Sequence, residues 1–202
     1  MTNKTNRLND KGYTLIEMII VMAIVVVLTG ASMLTVSIMH AAKAKEAAST
    51  MENDTSDLHI KAKGQNFVDK NGTVYKEYAY ALKLYDNNGH YYLQNTVVDR
   101  QTKTELDSST FPTGVSSLGD MVENSHNGLG TSLSAYVYVK YEDPTSTTTS
   151  GAIDIDSTGK LIVFDKNGAC VSGHGRYDFY KKSSDTLVAS LTINKNGSIQ
   201  LK

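Results

Sequence analysis

Hydrophobic and polar positions are spread very unevenly along the 202 residues of the chain. Residues 18–39 form a run of 22 without a formal charge, 17 of them apolar, the exceptions being Thr29, Gly30, Ser32, Thr35 and Ser37. At about 1.5 Å per residue a helix of that length spans roughly 33 Å, which matches a hydrocarbon core of about 30 Å. The run predicts one membrane crossing. Beyond Met39 the apolar density falls, yet Leu34, Ser37, Ala41, Ala44, Ala48, Met51, Thr55, Leu58 and Ala62 recur at alternating spacings of three and four. That is one face of a continuing helix. Glu52, Asp54 and Asp57 precede Lys61 and Lys63, an order that suits the macrodipole, and Gly64 fits the position just past the last turn. The pattern predicts a single helix over 13–63, roughly 75 Å long.

After Gly64 the period changes to two. Residues 74–85 alternate Tyr78, Tyr80, Leu82 and Leu84 with Glu77, Ala79, Ala81 and Lys83, and Asp86-Asn87-Asn88-Gly89 turns the chain into 90–98, a β-hairpin. Further strands are predicted over 135–141, 152–155, 160–164, 176–181, 186–194 and 198–201. Turns recur at Lys70-Asn71-Gly72, Ser157-Thr158-Gly159, Lys166-Asn167-Gly168 and Lys195-Asn196-Gly197, each with Gly or Asn where φ must be positive. Residues 101–134 are polar and irregular with one short helix near 117–123, and 144–151 is a Ser/Thr-rich exposed loop. The expected fold class is α+β: a long amino-terminal helix, membrane-spanning in its first half, packed against an antiparallel β-sheet head arranged as a meander.

Composition narrows the function classes. Twenty Lys and Arg stand against 21 Asp and Glu, a net charge of −1, which argues against a protein built to coat nucleic acid. Cys170 is the single cysteine and excludes an intrachain disulfide, and the five histidines have no metal-ligand spacing. Ahead of the apolar run, Lys4, Arg7, Lys11 and the α-amino group outweigh Asp10, so the positive-inside rule leaves residues 1–12 in the cytoplasm and carries the polar bulk across. A cleaved secretory signal fits poorly, because its apolar region is only about 7–15 residues long and ends in a small-x-small site.

Glu17 is the anomaly of this region. It sits at the edge of the apolar run, on the same helical face as Tyr13, with no Lys or Arg after it until Lys43. A carboxylate costs roughly 2.5–3.5 kcal/mol toward the centre of a membrane helix, and such charges usually have a partner. In isolation the residue reads as a side chain reaching into the headgroups.

Its neighbours change that reading. Gly12-Tyr13-Thr14-Leu15-Ile16-Glu17, after a short basic leader and before Met18-Ile19-Ile20-Val21, closely resembles the processing signal of type IV prepilins and pseudopilins. The resemblance implies cleavage after Gly12 by a membrane peptidase, N-methylation of Tyr13, and a role for Glu17, with Thr14 beside it, in assembly. Tyr13 stands where phenylalanine is commonest, so an aromatic is kept. Cleavage creates an α-ammonium at Tyr13, which offers the Glu17 carboxylate of a neighbouring subunit a counter-ion whose best-attested role is to fix register. The helix-breaking proline that many such subunits carry is absent, which makes Gly30 the candidate weak point of the stem.

Elsewhere the candidate chemistry is slight. Asp154 and Asp156, with the Asp69 and Asp165 turns, faintly resemble calcium loops but lack a full ligand set, so no metal and no cofactor is expected. The tyrosine clusters read as cross-strand packing and the Arg176, Lys181 and Lys182 group as solvated surface. No nucleophile elbow, phosphate loop or paired catalytic carboxylate stands out, so an enzyme is not expected. The expected organisation is a cleaved leader (1–12), a transmembrane and assembly helix (13–39), its amphipathic continuation (40–64) and a β-rich head (65–202). The expected function is a structural subunit, major or minor, of a type IV pilus, competence or type II secretion-like filament. The resemblance implies sibling subunits, a prepilin peptidase and methylase, a platform protein and an assembly ATPase as partners, with nucleic acid only if the filament serves DNA uptake. It also implies storage in the cytoplasmic membrane, amino terminus inside, before display on the cell surface. The alternative is a single-pass anchored binding or adhesion module that never polymerises.

Overall fold

A computed structural model describes residues 13–123, 127–144 and 151–202. The first element is α1, Leu15–Ala62, and internal contacts divide the chain into two units that meet between Met39 and His40. The helix begins two residues later than the periodicity predicts because Thr14 is its cap and not its first turn. At the other end Gly64 adopts φ +71° and its N–H donates to Lys166 O at 2.9 Å, so a turn of the β-region closes the helix.

In the first unit the described residues of α1 bury almost nothing. Its most apolar window has a mean hydropathy of 2.6 and none of it is buried within the chain. The core helix of a water-soluble domain shows the opposite, and this surface is long and apolar enough to cross a membrane.

The second unit carries the strands β1 (Phe67–Val68), β2 (Val74–Tyr75), β3 (Tyr78–Asn87), β4 (His90–Asp99), β5 (Thr131–Ser132), β6 (Val137–Glu142), β7 (Ile153–Asp154), β8 (Lys160–Phe164), β9 (Cys170–Ser172), β10 (Gly175–Lys181), β11 (Thr186–Ile193) and β12 (Ile199–Leu201), with a short α2 (Leu118–Met121). The strands form two five-stranded antiparallel sheets, ordered β5-β4-β3-β8-β9 and β12-β11-β10-β6-β7, and a β1–β2 pair. This corrects the single meander. β8 returns to β3 with Leu82 opposite Ile162, and β10 lies between β11 and β6 with Phe179 opposite Val139, so the chain changes sheets between β5 and β6, between β7 and β8 and again between β9 and β10. The hairpin is as expected: Asn88 and Gly89 at φ +55° and +79° make the two-residue turn between β3 and β4.

Both sheets and the second half of α1 share one core. Ala44, Ala47, Ala48, Met51, Leu58 and Ala62 of the helix meet Leu82, Leu84 and Phe164 of one sheet and Val139, Phe179 and Leu191 of the other. The alanines let the helix backbone approach both sheets closely, while Met51 fills the space between. From Ala44 onward the predicted stripe is buried, whereas Ser37 is exposed and Ala41 half-buried. A smaller cluster of Phe67, Val97, Leu106, Met121 and Val122 anchors the irregular 101–134 region, within which α2 falls where a short helix was predicted. The predicted loop at 144–151 lies mostly outside the described residues.

Candidate processing and assembly site

The start of α1 is built by Thr14 and Glu17. Thr14 O accepts the first intrahelical bond, from Met18 N at 3.2 Å, which makes Thr14 the N-cap. Its Oγ1 accepts from Glu17 N at 3.3 Å, and Glu17 Oε2 accepts from Thr14 N at 2.8 Å and from Thr14 Oγ1 at 2.9 Å. This reciprocal pairing is a capping box, and it holds a carboxylate where free amide N–H groups and the helix dipole favour negative charge. The structure therefore corrects one expectation: Glu17 has a partner inside its own chain. The signal was present in Thr14-x-x-Glu17 itself, a spacing that marks a capping box irrespective of any family. Among the described residues no basic side chain forms a salt bridge with Glu17.

Tyr13 precedes the cap, outside the helix, and is 83% exposed. A backbone not yet committed to helical hydrogen bonds is the kind a peptidase can hold extended. Gly12 and the basic leader lie outside the described residues.

Further along, the hydroxyls of the apolar run are satisfied by their own helix. Thr29 Oγ1 donates to Val25 O, Ser32 Oγ to Leu28 O at 2.9 Å and Thr35 Oγ1 to Ala31 O at 3.2 Å. No free hydroxyl donor among these three is left to oppose burial in lipid. The helix runs through Gly30 without interruption, and a Cβ there would meet nothing within 4 Å.

Residues 7–33 match the prokaryotic N-terminal methylation motif. The chain carries a prepilin-type signal. Gly12, Tyr13, Thr14 and Glu17 all fall inside the matched segment, and the signal supports handling of the chain as a type IV pilin- or pseudopilin-like substrate. The layout after the prepilin-type signal, a long helix followed by antiparallel sheets, is consistent with a pilin-like fold. No curated protein and no solved structure shows significant similarity to the chain.

The other candidates are occupied by structural work. Asp156 Oδ1 accepts from Thr158 N and Gly159 N at 3.0 and 3.1 Å, and Asp154 Oδ1 stands 3.9 Å from Lys140 Nζ. Asp69 and Asp165 use Oδ1 in the same way, each accepting two backbone N–H groups of its own turn. Among the described residues no group of three potential ligands is placed to hold a metal. Tyr138 stacks on Tyr180 with ring centroids 5.0 Å apart, and Tyr141 meets Tyr177 at the same distance. Arg176 is split from the two lysines, pairing with Glu142 at 2.7 Å and the buried Asp178 at 3.0 Å. Burial pushes the Cys170 thiol up to about 11, so it is not a thiolate nucleophile at neutral pH.

Proposed function

We propose that this chain is a structural subunit, not an enzyme, of a type IV pilus, competence or type II secretion-like filament. Residues 1–12 are its leader, cut off after Gly12; Tyr13 becomes the N-methylated terminus; residues 13–39 span the membrane and then line the filament; residues 40–64 continue the helix into the head formed by 65–202. The observation that carries this reading is the coincidence of a prepilin-type signal with an apolar helix surface left exposed among the described residues. Such a surface needs lipid first and sister helices afterwards.

The capping box refines the role of Glu17. Because Thr14 N remains an amide after cleavage at Gly12, the box survives processing, with Oε2 engaged by Thr14 and Oε1 left for the α-ammonium of a neighbouring subunit's Tyr13. Removing residues 1–12 takes away three bases and one acid and leaves 17 against 20, a mildly acidic subunit. A peptidase and methylase, a platform protein, an assembly ATPase and sibling subunits follow as partners, with the cytoplasmic membrane as the store and the cell surface as the destination.

The test is to shear surface filaments from cells and probe the sheared fraction. The chain is expected there in a cross-linkable ladder of multimers. Its absence from the fraction while it sits intact in the membrane would favour an anchored module instead. The same assay with Gly30→Ala tests whether the stem must loosen there; unchanged incorporation would leave Gly30 without a role.

A further inference from the structure

We infer that one rim of the second unit docks on anionic lipid headgroups while the chain is held in the membrane. The inference rests on the reading of residues 18–39 as a membrane span. His40 is the residue immediately after that span, so whatever touches His40 lies at headgroup level.

Two segments of the β-region touch it. The His40 ring stacks on Tyr136 with centroids 4.3 Å apart and planes 16° apart, and His40 Nδ1 lies 3.2 Å from Ser183 Oγ in the turn between β10 and β11. That turn is rigidly tied. Ser184 N and Asp185 N donate to Lys181 O at 3.2 and 3.0 Å, Lys182 N donates to Tyr136 O at 2.9 Å, and Lys182 Nζ donates to Gly89 O at 3.1 Å, joining the tip of the β3–β4 hairpin to the same rim.

The composition of the rim suits a headgroup layer. Tyr136 and Leu187 are 45% and 48% exposed, an aromatic and an aliphatic side chain displayed where interfacial anchors belong. The turn carries two bases, Lys181 and Lys182, and one acid, Asp185. The remainder of the subunit is acidic on balance, so the excess of lysine here is local. Lysines beside an anionic surface gain from its potential only within a Debye length, a condition that proximity to His40 meets.

The experiment places the full chain in lipid nanodiscs. Ser184→Cys in a Cys170→Ser background carries an environment-sensitive fluorophore, with a second label at the exposed Asn167→Cys, in the turn beside His59 at the far end of the second unit, as the control. Discs of neutral phosphatidylcholine are compared with discs holding about 30% phosphatidylglycerol, and protection from the neutral quencher acrylamide is read. Protection of the Ser184 label is expected to rise about threefold in the anionic discs and to vanish in about 0.5 M NaCl or in Lys181→Gln/Lys182→Gln. The Asn167 label is expected not to change. Equal quenching in both kinds of disc, insensitivity to the double substitution, or equal protection at Asn167 would each overturn the inference. Co-elution of chain and disc reports insertion separately, so failure of the membrane span is told apart from failure of the docking.

Discussion

The two halves of α1 have the same backbone and opposite surroundings. Before Met39 its described apolar side chains are exposed, and the hydroxyls of Thr29, Ser32 and Thr35 turn back onto their own helix. After His40 its alanines, Met51 and Leu58 are covered by two sheets, and the hydroxyl of Thr55, fully buried, has no hydrogen-bond partner among the described residues. One half is shaped for a solvent that the chain does not provide. The other half is shaped for a core that it does. Helix formation is thus shared, while what each half pays for is different, and a substitution should disturb one half's property and spare the other's.

The largest effect belongs to Met51→Ala, which leaves a cavity between helix and sheets. It should cost the second unit about 2–5 kcal/mol, read as a lower melting temperature, with membrane retention unchanged. Val26→Arg is the mirror experiment. A charge near the middle of the span should cost about 2.5–3.5 kcal/mol of insertion, read by alkaline extraction, while the melting of the second unit stays put. Thr55→Val should stabilise that unit by about 1 kcal/mol, since a buried hydroxyl without a partner is lost; a fall in stability would mean that Thr55 has a bond the structure does not show. The finest distinction is at the cap. Thr14→Val should weaken the start of the helix by about 1 kcal/mol yet keep the charge of Glu17, whereas Glu17→Gln keeps an acceptor for the box and removes the charge. If charge serves assembly, only Glu17→Gln empties the sheared filaments; if both do equally, the cap is what matters.

Much of this was legible in the residues because it depends on local pattern. The uncharged run at 18–39, the stripe from Ala44 to Ala62 and the Asn88-Gly89 turn each follow from spacing that neighbouring residues enforce. The sheet order was not legible. Strands β3 and β8 are separated by more than 70 residues, and nothing in the alternation of either says which distant strand completes it. Ala79, Ala81, Val98 and Val163 form a second small core, so the strands that hold them are buried on both faces and lose the clean alternation that marks a half-exposed sheet. At the site, Glu17 stands out by its misfit with the apolar run, whereas its tie to Thr14 is written in the Thr14-x-x-Glu17 spacing and involves no cation.

The most direct measurement is mass spectrometry of the amino terminus of the chain isolated from its native membrane. A terminus at Tyr13 carrying one N-methyl group is the predicted result. A chain that begins at Met1 or Thr2 would contradict the account, leaving an anchored protein whose apolar helix never leaves the bilayer.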